Sequence, residues 1–334
     1  MTNNALEQLI NKKDLDYETM QKIMHDIMHG EYSCEWIAGF LVAMQMKGIT
    51  SQELLASVNI MQSLVTKVYP ASSNVVDVVG TGGDGIHTFN ISTASMIAAA
   101  SCGAKVAKHG NRGVSSKSGS ADVLEAFGVN LQLSPENIAK CIDSIGLGFM
   151  FAPHHHPAMK YVAPVRKNLG IRTFFNVLGP LTNPAGVKRM LMGVYSREWL
   201  EPIAGVLNDL EFEHAWVVCA ENGMDEISSS LNTYVYEVKK GKINSFMLEP
   251  AQYGFAKHND RELYASNAKH SADIIMQVLR GNKGAAFDMT CINAAAVLYI
   301  SGAADNLVQG IELVKTNIEN GAARNKLYEF VSYN

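Results

Sequence analysis

Two glycine-rich stretches carry the residue types from which anion sites are built. The first, Gly80-Thr81-Gly82-Gly83-Asp84-Gly85, leads into Asn90-Ile-Ser92-Thr93. Glycines let backbone N–H groups approach phosphate oxygens, and a helix start offers unpaired donors and the positive end of a dipole. Ser92 and Thr93 add hydroxyls, and Ser92 is also a possible metal ligand. The stretch lacks the lysine of a Walker A loop and the G-x-G-x-x-G spacing of a dinucleotide fold. By itself it also reads as a glycine turn with Asn90 as a helix cap. Asp84 suits an anion loop only if it holds a metal, a hydroxyl or nearby backbone. The second stretch, Lys108-His109-Gly-Asn111-Arg112-Gly-Val-Ser115-Ser116-Lys-Ser118-Gly-Ser120, sets basic residues and serines among glycines. That is a second phosphate-philic segment, or alternatively a solvated surface loop.

Positioning such loops requires strands before them and helices after them. Val75–Val79 is a short β-branched run, as expected of a strand buried on both faces, and Lys105–Lys108 is a second. Ile91–Cys102, Ala121–Phe127 and Ser134–Ile145 read as helices. Both glycine loops would then open at one sheet edge, where ligands of α/β proteins bind. His214–Ala220 is a further strand, Tyr234–Phe246 a hairpin around Gly241, and Leu263–Phe330 mostly helix. The alternation predicts a largely parallel α/β sheet. Before it, about 65 residues read as helices only: Asp16–Gly30 with a glycine cap, Glu35–Lys47 capped by Ser33, and one opened by the capping box Thr50-Ser-Gln-Glu53. Their methionine stripe (Met20, Met24, Met28, Met44, Met46) fits a core or a dimer interface, and Tyr69–Asn74 reads as a linker.

The 334 residues are 47% hydrophobic and 18% charged with a formal charge of −4, which excludes disorder and argues against a nucleic-acid coat or a membrane-surface binder. Five scattered cysteines without a C-x-x-C pair argue against a disulfide framework or a zinc site. Met1–Lys13 shows no signal pattern, and no uncharged stretch is apolar enough to span a membrane. A cytoplasmic protein is expected. His154-His-His156 reads as a surface turn before Pro157, because consecutive histidines do not converge on one ion.

At these residues the chain resembles the anthranilate phosphoribosyltransferases. It carries G-T-G-G-D at Gly80–Asp84, N-x-S-T at Asn90–Thr93 and K-H-G-N at Lys108–Asn111. His156-Pro-Ala-Met-Lys, Val165-Arg166, Arg172-Thr-Phe-Phe-Asn176 through Pro180-Leu-Thr-Asn183-Pro184, and the pair Asp225-Glu226 follow in order. The resemblance implies transfer of a phosphoribosyl group from phosphoribosyl pyrophosphate (PRPP) to the amine of anthranilate, with Mg²⁺, two ions being expected. It implies PRPP binding by Gly80, Thr81, Gly82, Gly83, Asp84, Thr88, Asn90, Ser92, Thr93, Lys108, Ser116 and Ser120. Anthranilate would meet Gly80, His109, Asn111, His156, Arg166 and Pro180, with Arg166 facing its carboxylate. Ser92 would hold one Mg²⁺, and Asp225 with Glu226 the second. Hard Mg²⁺ keeps waters, so one or two carboxylates and substrate oxygens are enough. No acid–base residue is assigned, since an aromatic amine is largely unprotonated at neutral pH.

The implied fold is the one shared with pyrimidine nucleoside phosphorylases: a small helical domain, residues 1–71 plus about 164–187, and a large α/β domain with a central, mostly parallel sheet, residues 72–163 and 188–334. The segment Asn176–Pro184 then reads as a hinge between them. A homodimer through the helical domain is implied. Two alternatives stand beside this reading. A nucleoside phosphorylase would need a base-reading set where Asn111 and Arg166 suit a carboxylated ring. A nucleic-acid-binding relative without transferase activity would need a basic surface that a charge of −4 does not favour.

Overall fold

The structure is a computed structural model that describes residues 2–113 and 117–333. Helices α1 (Thr2–Ile10), α2 (Tyr17–His29), α3 (Cys34–Lys47) and α4 (Ser51–Leu64) form an N-terminal bundle. Their ends follow the local chemistry. The Asp16 side chain accepts from Thr19 N, Ser33 from Trp36 N, and Gly30 closes α2 in the left-handed region. Thr50 and Glu53 form the expected capping box, and Glu53 is fully buried. Its carboxylate receives the Lys47 ammonium at 2.9 Å and Leu15 N at 2.9 Å, so the buried charge is satisfied on every side. Met20, Met24, Met28 and Met44 are core residues, whereas Met46 is 75% exposed.

Among the described residues seven strands form one sheet in the order β3-β2-β1-β4-β5-β6-β7. These are β1 (Val76–Gly80), β2 (Val106–Gly110), β3 (Leu147–Phe151), β4 (Arg189–Gly193), β5 (His214–Ala220), β6 (Thr233–Lys239) and β7 (Lys242–Leu248). The strands from β3 across to β5 are parallel, and β6 and β7 append an antiparallel hairpin. Side chains alternate between the two faces. Trp216, Val218 and Ala220 join one core, while Ala215, Val217 and Cys219 join the other.

Helices α5 (Ile91–Ser101) and α6 (Ser120–Phe127) follow β1 and β2, as the sequence predicts. Next come α7 (Pro135–Ile145), α8 (Ala152–His155), α9 (Ala163–Leu169), α10 (Phe175–Leu178) and α11 (Leu200–Asp209). The chain ends in α12 (Ala268–Leu279), α13 (Ala285–Ser301), α14 (Leu307–Glu319) and α15 (Ala322–Val331). Buried residues of α5, α6 and α12–α15 share one core with the sheet; the bundle, α7, α9, α10 and α11 share the other. Phe40 of α3 is fully buried, a burial worth about 2 kcal/mol, and meets Phe174 edge to face at 6.2 Å. The sequence reading did not identify β3, β4 or the helices α1 and α8–α11. Leu147-Gly-Phe-Met-Phe and Arg189-Met-Leu-Met-Gly contain no β-branched residue and no polar alternation, so only pairing with neighbours makes them strands. No helix among the described residues is long and apolar enough to cross a membrane.

Candidate active site

The first glycine loop leaves the carboxyl end of β1, and its shape is set by a partner far away in sequence. Gly80 lies beside Gly193 at the end of β4. A Cβ on Gly193 would collide with the Asp225 carbonyl, and one on Gly80 with the Asp225 carboxylate. Two strands therefore end in glycine so that Asp225 can enter between them. The Asp225 carboxylate accepts from Gly82 N at 2.6 Å, and Thr81 N donates to Gly193 O at 3.0 Å. Gly82, Gly83 and Gly85 all have φ between +67° and +79°, which turns successive amides out of the strand direction. Asp84 accepts from Ile86 N at 3.1 Å, the neighbouring-backbone role open to it, and Thr88 bridges to Tyr264.

Asn90 begins α5, yet its side chain makes no capping bond. Its amide oxygen instead accepts from Ser118 Oγ and Ser271 Oγ, both at 2.8 Å. This bond fastens the first glycine loop to the second, so the two loops do open together at one sheet edge. Beneath them, Lys108 is 2% exposed. Its Nζ donates to Ser92 Oγ at 3.1 Å and to Val78 O. The lysine thus supports the loop from below. In the second loop Arg112 is taken by Asp122 and Glu125, so it adds no free cation for a phosphate. Asn111 is exposed, and Ser120 opens α6 against Gly110. Ser116, expected at PRPP, lies outside the described residues.

Asp225 and Glu226 sit under the same loops. Burial pushes Asp225 up to about 7, with Asp84 adding repulsion and the Gly82 N–H opposing. Burial and then Asp225 also push Glu226 upward, against the pull of Lys108. The Ser92 backbone likewise opposes that rise. Among the described residues no group of three or more His, Cys, Asp or Glu side chains is arranged to hold a metal. The oxygen donors present, Asp225, Glu226 and Ser92 Oγ, nevertheless fit Mg²⁺: they are hard, the two neighbouring carboxylates repel each other, and Mg²⁺ takes its other ligands from substrate and water.

On the other side of the loops, His109 and His156 face each other with ring centroids 4.9 Å apart. Both Nε2 atoms are buried without a partner. Burial lowers His156 to about 4 and His109 well below its usual value, so both are neutral at pH 7. The triple histidine is not a surface turn: only His154 is exposed, and the His155 ring bonds Thr66 O at 2.8 Å. The short β3 strand carries this turn directly into the core. Arg166 of α9 is partly buried over the Phe175 ring, 5.4 Å from its centroid. Among the described residues no carboxylate pairs with it. Its guanidinium touches Asn176 Oδ1 at 3.4 Å, and the same oxygen accepts from Thr173 N at 3.1 Å. Pro180 is buried nearby in sequence.

The segment read as a hinge is fastened. Asn183 donates to Asp77 Oδ2 at 2.7 Å and to Ala107 O at 2.9 Å. Asp77 is fully buried and pushed up to about 6 by that burial, with Lys108 opposing. Asp77, Asn183, Gly193 and Arg172 were not assigned from the sequence. A lone aspartate inside Val75–Val79 was the available signal, because a buried carboxylate demands partners.

Comparison with known proteins gives the family. Residues 72–324 match the glycosyl transferase family a/b domain, and residues 3–64 match that family's helical bundle domain. An anthranilate phosphoribosyltransferase of Polynucleobacter necessarius is 51% identical over 98% of this chain and 96% of its own. The crystal structure of anthranilate phosphoribosyltransferase from Thermus thermophilus superposes with a TM-score of 0.92 at 38% identity, covering 98% of each chain. The Saccharomyces cerevisiae enzyme in complex with PRPP and Mg gives a TM-score of 0.91 at 25% identity over 99% of this chain and 97% of that one. With the glycine loops, the acidic pair and a guanidinium that meets no carboxylate among the described residues already in place, these matches show that the chain belongs to the anthranilate phosphoribosyltransferase family.

Proposed function

We propose that the protein transfers the phosphoribosyl group of PRPP to the amine of anthranilate, releasing pyrophosphate. The observation that carries this reading is the bond between Asn90 and Ser118, which joins two anion-binding loops at one sheet edge. In the reaction a bond forms between the amine nitrogen and C1 of the ribose while the bond from C1 to the pyrophosphate oxygen breaks. Positive charge grows on the sugar and negative charge on the leaving group, and the amine then releases a proton.

The chain's own groups match these demands. Backbone amides of Gly80–Gly83 and the N-terminus of α5 receive the leaving group, with Thr81, Thr88, Ser92 and Thr93 as hydroxyl donors. Lys108 holds Ser92 from below and offsets the charge of Glu226. Asp225, Glu226 and Ser92 would hold Mg²⁺, which when bound neutralises pyrophosphate charge. Arg166 seats the carboxylate of anthranilate, because a planar fork with no carboxylate partner among the described residues is suited to one. Neutral His109 and His156, with Asn111 and Pro180, wall the aromatic ring. A protonated pair there would repel nothing in the acid but would require costly buried charge.

The helical part comprises residues 1–71 and the returning segment of about 164–187, a division supported by the contact of Phe40 with Phe174. The enzyme works as a homodimer in the cytoplasm, a compartment compatible with five cysteines that form no disulfide among the described residues. The test is loss of anthranilate fluorescence in the presence of PRPP, with Mg²⁺ titrated from zero. Turnover that saturates in all three components supports the reading; turnover of thymidine or uridine with phosphate, and none of anthranilate, would replace it.

A further inference from the structure

Arg172 occupies a place that neither the acceptor site nor the anion loops require: its side chain meets the first glycine loop, and its chain neighbour Thr173 meets the Asn176 oxygen beside Arg166. It lies in the turn between α9, which carries Arg166, and α10, which carries Asn176. Its neighbour Thr173 donates to Asn176 Oδ1, the same oxygen that receives Arg166. The guanidinium of Arg172 reaches away from this turn and donates to Gly83 O in the first glycine loop. Gly83 has φ +78°, and a Cβ placed on it would sit 3.2 Å from Arg172 Nε, so the loop is shaped to leave room for this side chain. The same guanidinium lies 4.5 Å from the ring centroid of Tyr195, just beyond β4, and the Tyr195 hydroxyl accepts from Trp199 Nε1 at 3.0 Å. One exposed side chain therefore joins the returning helical segment, the glycine loop and the end of β4. Among the described residues no carboxylate neutralises it.

We propose that Arg172 is a positioning residue that couples the two substrate sites: seating of a carboxylate at Arg166 fixes the turn through Asn176, and Arg172 transmits that fixing to the glycine loop that receives PRPP. The proposal rests on the function given above. Arginine suits the role because its planar fork can accept one geometry on a carbonyl while its face stays on an aromatic ring. Coupling carried by a single contact of this kind is expected to change affinity about five- to hundredfold, and by linkage it acts equally in both directions.

The experiment measures PRPP binding by calorimetry in the presence of Mg²⁺, with and without saturating benzoate, which has the carboxylate of the acceptor but no amine to react. In the unaltered protein benzoate should tighten PRPP binding at least about fivefold. In Arg172→Met, which keeps an apolar stem against Tyr195, and in Arg172→Lys, which keeps the charge without the fork, the ratio should fall to near one. Melting temperatures of both variants should stay close to the parent because the side chain is exposed. The proposal is overturned if benzoate leaves PRPP affinity unchanged in the parent, or if both variants keep the parent's ratio. It is also overturned if the variants weaken PRPP equally with and without benzoate, since Arg172 would then be a plain phosphate ligand. Parent turnover of anthranilate in the same preparation separates this outcome from failure of the assigned activity.

Discussion

Arg166 has an unusual setting for an arginine: it is partly buried, stacked on Phe175, and without a carboxylate among the described residues. A charge-assisted hydrogen bond is worth about 1.5–3 kcal/mol, or roughly tenfold to hundredfold in affinity. Arg166→Ala should therefore raise the KM for anthranilate by that factor while the KM for PRPP moves less than about twofold. Steady-state kinetics with each substrate varied checks this, and an equal loss on both would remove Arg166 from the acceptor site. His156 leads to a pH effect. Its folded value of about 4 lies below the ordinary 6.5, so the unfolded chain binds the extra proton first. The stability tied to a neutral His156 is full above pH 6.5 and is lost as pH falls toward 4, on the order of 3 kcal/mol in all. Asp77 and Asp225, raised by burial, act in the opposite sense. The comparison is thus parent against His156→Gln at each pH: thermal melts from pH 7 to 4.5 should decline less steeply in the variant, and parallel declines would reject the assignment.

At the level of elements, the ends of β1 and β4 act as one device. Gly80 and Gly193 leave the gap that Asp225 fills, and Asp225 in turn holds Gly82. Gly193→Ala should displace the carboxylate without unfolding the sheet. Misplacement of a catalytic group by about 1 Å can cost about 100-fold, and kcat/KM should fall to that degree together with a higher Mg²⁺ requirement. Circular dichroism should remain that of the parent, and unaltered kinetics would show that the close approach does not matter. The bundle illustrates the opposite relation between element and site. Thr50→Ala removes one capping bond of α4, far from either glycine loop in sequence, and should cost about 1 kcal/mol of stability with kcat unchanged. Denaturant titration and turnover together check it.

For the whole molecule, the sheet separates two cores, and the bundle lies with one of them. Ile10 and Met46 are 72% and 75% exposed on bundle helices, which is where a second copy would be expected to dock. Sedimentation equilibrium should give twice the 36.4 kDa of one chain, and Ile10→Glu with Met46→Glu should shift the species toward the monomer. A monomeric parent would reject the homodimer. The contact of Arg172 with Gly83 belongs to this scale as well, since it joins the turn between α9 and α10 to the loop that follows β1.

The sequence by itself determined the bundle helices α2, α3 and α4 with their caps, two strand–loop–helix units, the hairpin and the identity of the residues at the loops. Each of these is local: a cap, a glycine or a period acts within a few residues. It did not determine β3 or β4, whose composition favours no strand, nor that Asn90 reaches Ser118 instead of capping its own helix. It likewise did not reveal that Lys108 is buried under Ser92, that Asn183 and Asp77 satisfy each other 106 positions apart, or that Gly193 makes room for Asp225. Those pairings depend on which strands lie side by side. Only tertiary packing decides that, because a buried polar group takes whatever partner the fold brings within hydrogen-bond reach.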